Sequence, residues 1–372
     1  MLIGEKLHFS DSATELEPIT DREVILLHSS WEKTKDGHEY ELRHVHVDDP
    51  HDPEIAFQLE VVASMFNQAL IDKPDWQPPA LGKQAYIGEK MQPNEDLKNF
   101  DPASNPAWEW FYGPEGSSLR KWREFIPSAK ALYPMQRLDD IGRIFPKGWE
   151  PDERSIEIFY NMLDSIAIRT RAEIMKASMF AQAQQSESNE LHVVSLGSGA
   201  AVAETDVAIK IQRELGKKLH MQFYDIDAEM LEFGEEYAQR VGLDMSSMTQ
   251  KHENYLRALA LPAESQDFVD VLGLWEYLRH KECVNLLKKS YQLLKPGGTF
   301  IASNMLKGRK QFTFNQRGVG WWTLYDRSQD DLVAIAHEAG IDNRLVTLTV
   351  PEDGVYAVME IQKPDTAEVE KI

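Results

Sequence analysis

The sequence predicts an α/β fold: a doubly wound, mainly parallel seven-stranded sheet with a terminal antiparallel hairpin, preceded by a mostly helical N-terminal cap region that carries a β-hairpin. Three observations predict it. From Leu191 onward, short apolar runs alternate with segments of helical period, which implies a parallel sheet covered on both faces. The first of those runs ends in a glycine-rich loop, Gly197-Ser198-Gly199, and a later one begins after Lys295-Pro296-Gly297-Gly298. Before Leu191 the chain has another texture, rich in proline and tryptophan, and the polar stretch Gln184 to Glu190 separates the two.

A chain of 372 residues exceeds the size at which one hydrophobic core usually stops growing, so two domains are expected, residues 1–152 and residues 153–372. With 42% hydrophobic and 27% charged residues the chain needs neither disulfides nor metal to build its cores. A single cysteine, Cys283, forms no internal disulfide, and no secretory leader or membrane span is seen, so a cytoplasmic protein is expected. A net charge of −21 opposes polyanionic ligands and disfavours nucleic acid as a partner, despite the local cluster Lys307, Arg309, Lys310 and Arg317.

In chain order, Glu23 to Leu27 and Tyr40 to Val47 are β-favouring and flank a turn at Lys35-Asp36-Gly37, a hairpin pattern. Pro53 can open a helix on which Ile55, Leu59, Val62, Met65, Phe66 and Leu70 share a face that could pack on the hairpin. The prolines and tryptophans between Lys73 and Pro151 indicate short helices and packed loops. A long helix follows from Ser155 to about Gln184. Strands are then expected at Leu191–Leu196, Gln222–Asp225, Phe268–Leu272 and Thr299–Ser303, with helices between them. The tail folds back as a hairpin, Arg344–Val350 with Val355–Ile361.

The loop Gly197-Ser198-Gly199-Ala200-Ala201-Val202 lets the backbone approach a ligand at the head of the next helix. Val202 stands where a dinucleotide fingerprint has its third glycine, which counts against a nicotinamide or flavin cofactor. Asp225, at the end of the second strand, can accept both hydrogen bonds of a ribose diol. Asp227 reads as the N-cap of the helix Ala228 to Arg240.

Together with Phe268-Val269-Asp270-Val271-Leu272-Gly273-Leu274 and Leu294-Lys295-Pro296-Gly297-Gly298, these segments resemble the class I S-adenosylmethionine-dependent methyltransferases over about residues 191–361. The resemblance implies a Rossmann-like domain with S-adenosylmethionine as cofactor. Gly197, Ser198 and Gly199 would meet its methionine part, and Asp225, with Ile226, its ribose. Asn254 and Tyr255 would lie by the adenine, while Leu274 and Trp275 would close the pocket near the reacting methyl. A narrower likeness, in Gly273-Leu274-Trp275-Glu276-Tyr277-Leu278 and Trp321-Trp322-Thr323-Leu324-Tyr325-Asp326-Arg327, is to bacterial methyltransferases associated with hydroxy-fatty-acid methyl esters. It points to a small, partly apolar acceptor carrying a carboxylate, hydroxyl or amine.

The segment Lys307 to Arg327 is long for a plain connection, so its Trp321, Trp322 and Tyr325 are candidates for the acceptor pocket, with simple packing as the competing reading. Where the acceptor must lose a proton, Glu276, Tyr277 and His280 are the nearest candidate bases. His44, His46, Asp48, Asp49 and His51 read as a solvated strand end, so no metal is expected, and Arg169 and Arg171 read as solvated or ion-paired surface residues. Two other functions stay open at this point: a non-catalytic sensing or scaffolding protein on the same fold, and an NAD(P)-dependent oxidoreductase. Acceptor identity and oligomeric state are left open.

Overall fold

The computed structural model describes residues 17–72, 118–126, 128–137, 140, 151–312, 314–319, 321 and 324–365. Trp322, most of the proline-rich stretch with Trp76, Trp108, Trp110 and Trp149, and the side chains of Phe66 and Leu70 lie outside them. The chain forms two compact units, one from residues 1–16, 50–169 and 310–324, the other from residues 17–49, 170–309 and 325–372.

The second unit is built on a nine-stranded sheet: β1 (Val24–Lys33), β2 (Glu39–Val47), β3 (Glu190–Leu196), β4 (Lys218–Asp225), β5 (Met248–His252), β6 (Gln266–Val271), β7 (Leu294–Met305), β8 (Val346–Pro351) and β9 (Tyr356–Gln362). Their order is β1-β2-β8-β9-β7-β6-β3-β4-β5. From β3 to β9 this is the expected seven-stranded sheet, parallel except that β9 runs antiparallel between β7 and β8. The N-terminal hairpin was expected in the helical region, beneath the first helix. It instead extends the sheet, because β2 pairs in parallel with β8 from Glu41 opposite Thr347 to Val45 opposite Pro351. Tyr40 and Leu42 are buried in the core, and after a one-residue shift in the alternation Val45 and Val47 are buried as well.

β6 is buried along its whole length, which suits a central parallel strand. Val194, Leu196, Val269, Val271 and Phe300 form the core with Leu286 and Leu287 of α8 (His280–Leu293). Helices α6 (Val202–Leu215) and α7 (Ala228–Arg240) pack against β4, and α9 (Gln329–Glu338) packs against β8. Ser328 and Asp331 close α9 with a reciprocal capping box, and Asp227 caps α7. The Pro-Gly-Gly turn has a steric cause: between β6 and β7 the register jumps from Gln266 opposite Leu294 to Phe268 opposite Thr299. The looped-out residues need φ = 75° at Gly297, and a Cβ on Gly298 would lie within 3.2 Å of three backbone carbonyl oxygens.

The first unit contains α1 (Pro53–Asp72), α2 (Ser118–Arg123), α3 (Tyr133–Gln136), α4 (Glu153–Asn161), the first residues of α5 (Leu163–Gln185) and a π-helical turn at Phe314–Val319. Its centre is Trp122, fully buried, edge-on to Phe159 at 5.5 Å and hydrogen-bonded from Nε1 to the Ala131 carbonyl at 2.8 Å. The single helix expected from Ser155 is two helices, α4 and α5, broken where Met162 is extended (ψ 137°). Asn161 explains the break without proline or glycine: its Nδ2 donates to the Glu157 carbonyl and its Oδ1 accepts from the Asp52 N–H at the start of α1. Among the described residues no helix is long and apolar enough to cross a membrane.

Candidate cofactor site at the strand ends

The carboxyl ends of β3 and β4 converge through backbone. The Gly197 and Ser198 N–H groups both donate to the Tyr224 carbonyl, at 2.8 and 3.2 Å, turning the chain sharply away from β3. Gly197, Gly199 and Ala201 have positive φ (72°, 54° and 48°), a crowded conformation that lets α6 begin directly over the strand end. Substituting Gly197 would add a Cβ 3.2 Å from Leu274, so the loop after β6 lies directly against the loop after β3. The loop is also fixed from α7, where a Cβ on Gly234 would meet the Ala200 carbonyl oxygen at 2.7 Å.

Asp225 ties this loop to the next. One carboxylate oxygen accepts from Gly199 N at 2.8 Å and the other from Asp227 N at 2.8 Å. Burial pushes its carboxyl above the usual range, against the pull of these backbone N–H groups. Each oxygen still has a second lone pair, so the carboxylate can hold its loop and accept a diol at once. Ile226 is exposed beside it, and its carbonyl lies 3.1 Å from His252 Nε2, bringing the end of β5 to the same place. Asn254 caps a short 3₁₀ turn, Tyr255–Ala260, by accepting from Leu256 N, and Tyr255 packs half-buried against the core. The Ser198 hydroxyl is buried and makes no hydrogen bond, an unspent polar group within the glycine loop.

Of the pair expected to close the pocket, Leu274 is beside Gly197, while Trp275 is fully buried, with its ring 5.9 Å from Phe300. The candidate bases are dispersed. Glu276 is 2% exposed and pairs with Arg171 at 3.2 Å; burial pushes its carboxyl up and Arg171 opposes that rise. Tyr277 is half-buried in the 3₁₀ turn after β6. His280 opens α8 at the surface and pairs with Glu338 of α9 at 3.0 Å. Trp321 packs 6.4 Å from Trp122 in the first unit, whereas Tyr325 belongs to the second, exposed, with its N–H donating to the Glu276 carbonyl.

Beneath the strand ends lies a polar centre that the sequence pattern does not reveal. Ser195 Oγ donates to Asp270 at 2.7 Å and lies 3.3 Å from Glu204; burial raises both acids, and the Glu204 charge pushes Asp270 up further while a hydrogen bond with Asp270 holds Glu204 down. The buried Arg171, read from the sequence as a surface residue, touches Glu276, Ser303 and the face of Tyr356. Arg327 fastens the turn after β6 by donating to the carbonyls of Trp275 and Leu278 and to the Asn304 side chain. The one available signal was Asp270 itself, a charge inside the apolar run Phe268 to Leu272.

Strand order, glycine loop and the acid after the second parallel strand define a Rossmann-like domain. Residues 193–298 match the family model described as a methyltransferase domain. No curated protein matches the sequence. A solved structure described as a possible exported protein from Bordetella parapertussis is similar in fold, with 16% identity, a TM-score of 0.54, and 82% of this chain and 95% of that one covered. Magnesium protoporphyrin IX methyltransferase from Synechocystis, solved with bound S-adenosylmethionine, is similar at 16% identity over 65% of this chain and 94% of that one, with a TM-score of 0.41. The family match supports S-adenosylmethionine as the cofactor, and the residues fit it: a glycine loop over a helix N-terminus, an unspent hydroxyl at Ser198 and free lone pairs on Asp225.

Proposed function

We propose that the protein transfers a methyl group from S-adenosylmethionine to a small, partly apolar molecule bearing a carboxylate, hydroxyl or amine. The observation that carries this is Asp225, held at the end of β4 by two backbone donors with acceptor capacity to spare. Gly197, Ser198 and Gly199 would hold the methionine part, Asp225 and Ile226 the ribose, Asn254 and Tyr255 the adenine edge, and Leu274 the side nearest the reacting centre. The cofactor supplies a methyl group already activated on a sulfonium, so this chain's contribution is to bind, align and exclude water. Strong acid–base chemistry is not demanded of it.

For a hydroxyl or amine acceptor the proton is assigned to one of Glu276, Tyr277 and His280, of which Glu276 pairs with Arg171 and His280 with Glu338. A carboxylate acceptor would need no base. Tyr325, exposed after β7, and the tryptophans at 321 and 322 are assigned to acceptor binding, and acceptor choice is assigned to the region spanning residues 1–152.

Calorimetric titration tests the reading. Micromolar binding of S-adenosylmethionine and S-adenosylhomocysteine, lowered about a hundredfold in Asp225→Ala on the basis of two lost charge-assisted hydrogen bonds, is expected, with no binding of NAD. Binding of NAD in preference to either sulfur nucleoside would replace this reading with that of an oxidoreductase. No binding of any of the three would favour a non-catalytic protein on the same fold.

A further inference from the structure

The opposite ends of the same strands carry a second cluster. β3 and β4 run parallel with Glu190 opposite Lys218 and His192 opposite His220. Glu190 and His192, two residues apart on one strand, point to the same face, and His220 joins them from the neighbouring strand. We propose that Glu190, His192 and His220 form a binding site for one divalent transition-metal ion of the zinc type.

Geometry and chemistry both point there. One ligand atom from each of the three residues lies within 4.8 Å of the others. The two imidazoles lie face to face, with centroids 4.8 Å apart and planes 16° from parallel, so one ring turns about its Cβ–Cγ bond for both in-plane lone pairs to meet a single ion. His220 Nε2 is shielded from solvent and makes no hydrogen bond, although Glu190 Oε2 stands 3.4 Å away. Two ligand atoms each about 2.05 Å from a tetrahedral zinc lie about 3.3 Å apart. The nitrogen and oxygen therefore have the spacing of two ligands on one ion and a poor arrangement for a direct hydrogen bond.

The surroundings agree. Lys218 engages the other oxygen of Glu190 at 3.5 Å, which leaves Oε2 facing His220. The second cation nearby, Lys295, is spent on Asp267 at 2.7 Å, and Asp267 in turn accepts from the His192 N–H at 2.7 Å, fixing the strand beneath the ring. Two imidazoles and a carboxylate suit zinc, nickel or copper and leave a coordination position for water. The net charge of −21 draws cations to the surface.

From His192 to Gly197 the strand covers roughly 17 Å at about 3.3 Å per residue, so the ion would fasten β3 to β4 far from the glycine loop. The proposal is independent of the methyl-transfer reading.

Zinc titrated calorimetrically into chelator-treated full-length protein is expected to bind at one ion per chain. His192→Gln, His220→Gln and Glu190→Gln should each weaken binding at least about tenfold, the lower bound for losing even an outer-shell partner. Metal-free melting curves of the variants report whether they fold. Absence of zinc binding to the unmodified chain, or unchanged affinity in a folded His220→Gln variant, overturns the proposal. Zinc-soaked crystals of the unmodified protein give a second reading: an anomalous peak among the three side chains supports the site, and its absence there overturns it.

Discussion

Two arginines two residues apart on α5 are used in opposite ways by the two compact units. Arg169, in the helical unit, spends its guanidinium on backbone, donating to the carbonyls of Met135, Phe159 and Tyr160 at 2.6 to 3.2 Å. Arg171, in the sheet unit, pairs with the buried carboxylate of Glu276 and stacks on Tyr356. The three carbonyls lie in the last turns of α3 and α4, where a helix leaves carbonyls without an intrahelical donor, so a five-donor side chain stands in for the missing ladder. In the sheet unit the ladders already satisfy the backbone, and a buried arginine there answers a buried acid instead. Removing each should therefore fail differently.

The largest effect is expected from Arg171→Met, which leaves Glu276 buried without its counter-charge. Breaking a buried pair from one side costs about 3–5 kcal/mol, measurable as a fall in urea midpoint at unchanged slope. The double variant Arg171→Met, Glu276→Gln should recover most of the loss, because it removes the orphaned charge along with its partner. A double variant no more stable than the single one would mean that Arg171 acts through packing on Tyr356 and Gly273 rather than through the ion pair.

Arg169→Met should cost less, about 2–3 kcal/mol, since neutral carbonyls are left unpaired rather than a charge and water can reach some of them. No second substitution in a side chain can rescue it, because the acceptors are main-chain atoms. Arg169→Lys should restore only part of the loss, as an ammonium cannot span three carbonyls with a planar fork. Full recovery by lysine would show that charge alone matters at this position and would erase the contrast with Arg171.

The same contrast governs what the sequence disclosed. The strands β3, β4, β6 and β7, the glycine loop, Asp225 and the α7 and α9 caps follow from local signals: apolar runs, glycine where φ is positive, and short polar residues at helix starts. The sheet's extension by β1 and β2 was not legible, since the pairing of Glu41 with Thr347 is a contact across most of the chain and either strand alone suits an isolated hairpin. Arg169 and Arg171 were misread as surface residues for a related reason. Nothing within a helical turn of either announces a carbonyl at Met135 or a carboxylate at Glu276. Trp275 was placed by its neighbours in the sequence, whereas its indole turned inward to Phe300.

The smallest expected effect, and the most selective, concerns the paired acids below the glycine loop. Burial and the neighbouring Glu204 raise the Asp270 carboxyl well above its ordinary 3.8, while Ser195 and the Leu272 N–H pull it down and Arg171 acts on Glu204. Between the ordinary carboxylate range and that raised value the native state binds more protons than the unfolded chain. Stability therefore falls as pH rises through that window. Asp270→Asn keeps an acceptor for Ser195 Oγ at its amide oxygen and removes the titration, so stability should decline less steeply with pH than in the unmodified protein, the two curves separating above about pH 5. Parallel curves in urea unfolding from pH 5 to pH 8.5 would mean that Asp270 is ionised in the native state, with Arg171 reaching past Glu276 to compensate it. In that event the division of labour between the two arginines would be less strict than their hydrogen bonds indicate.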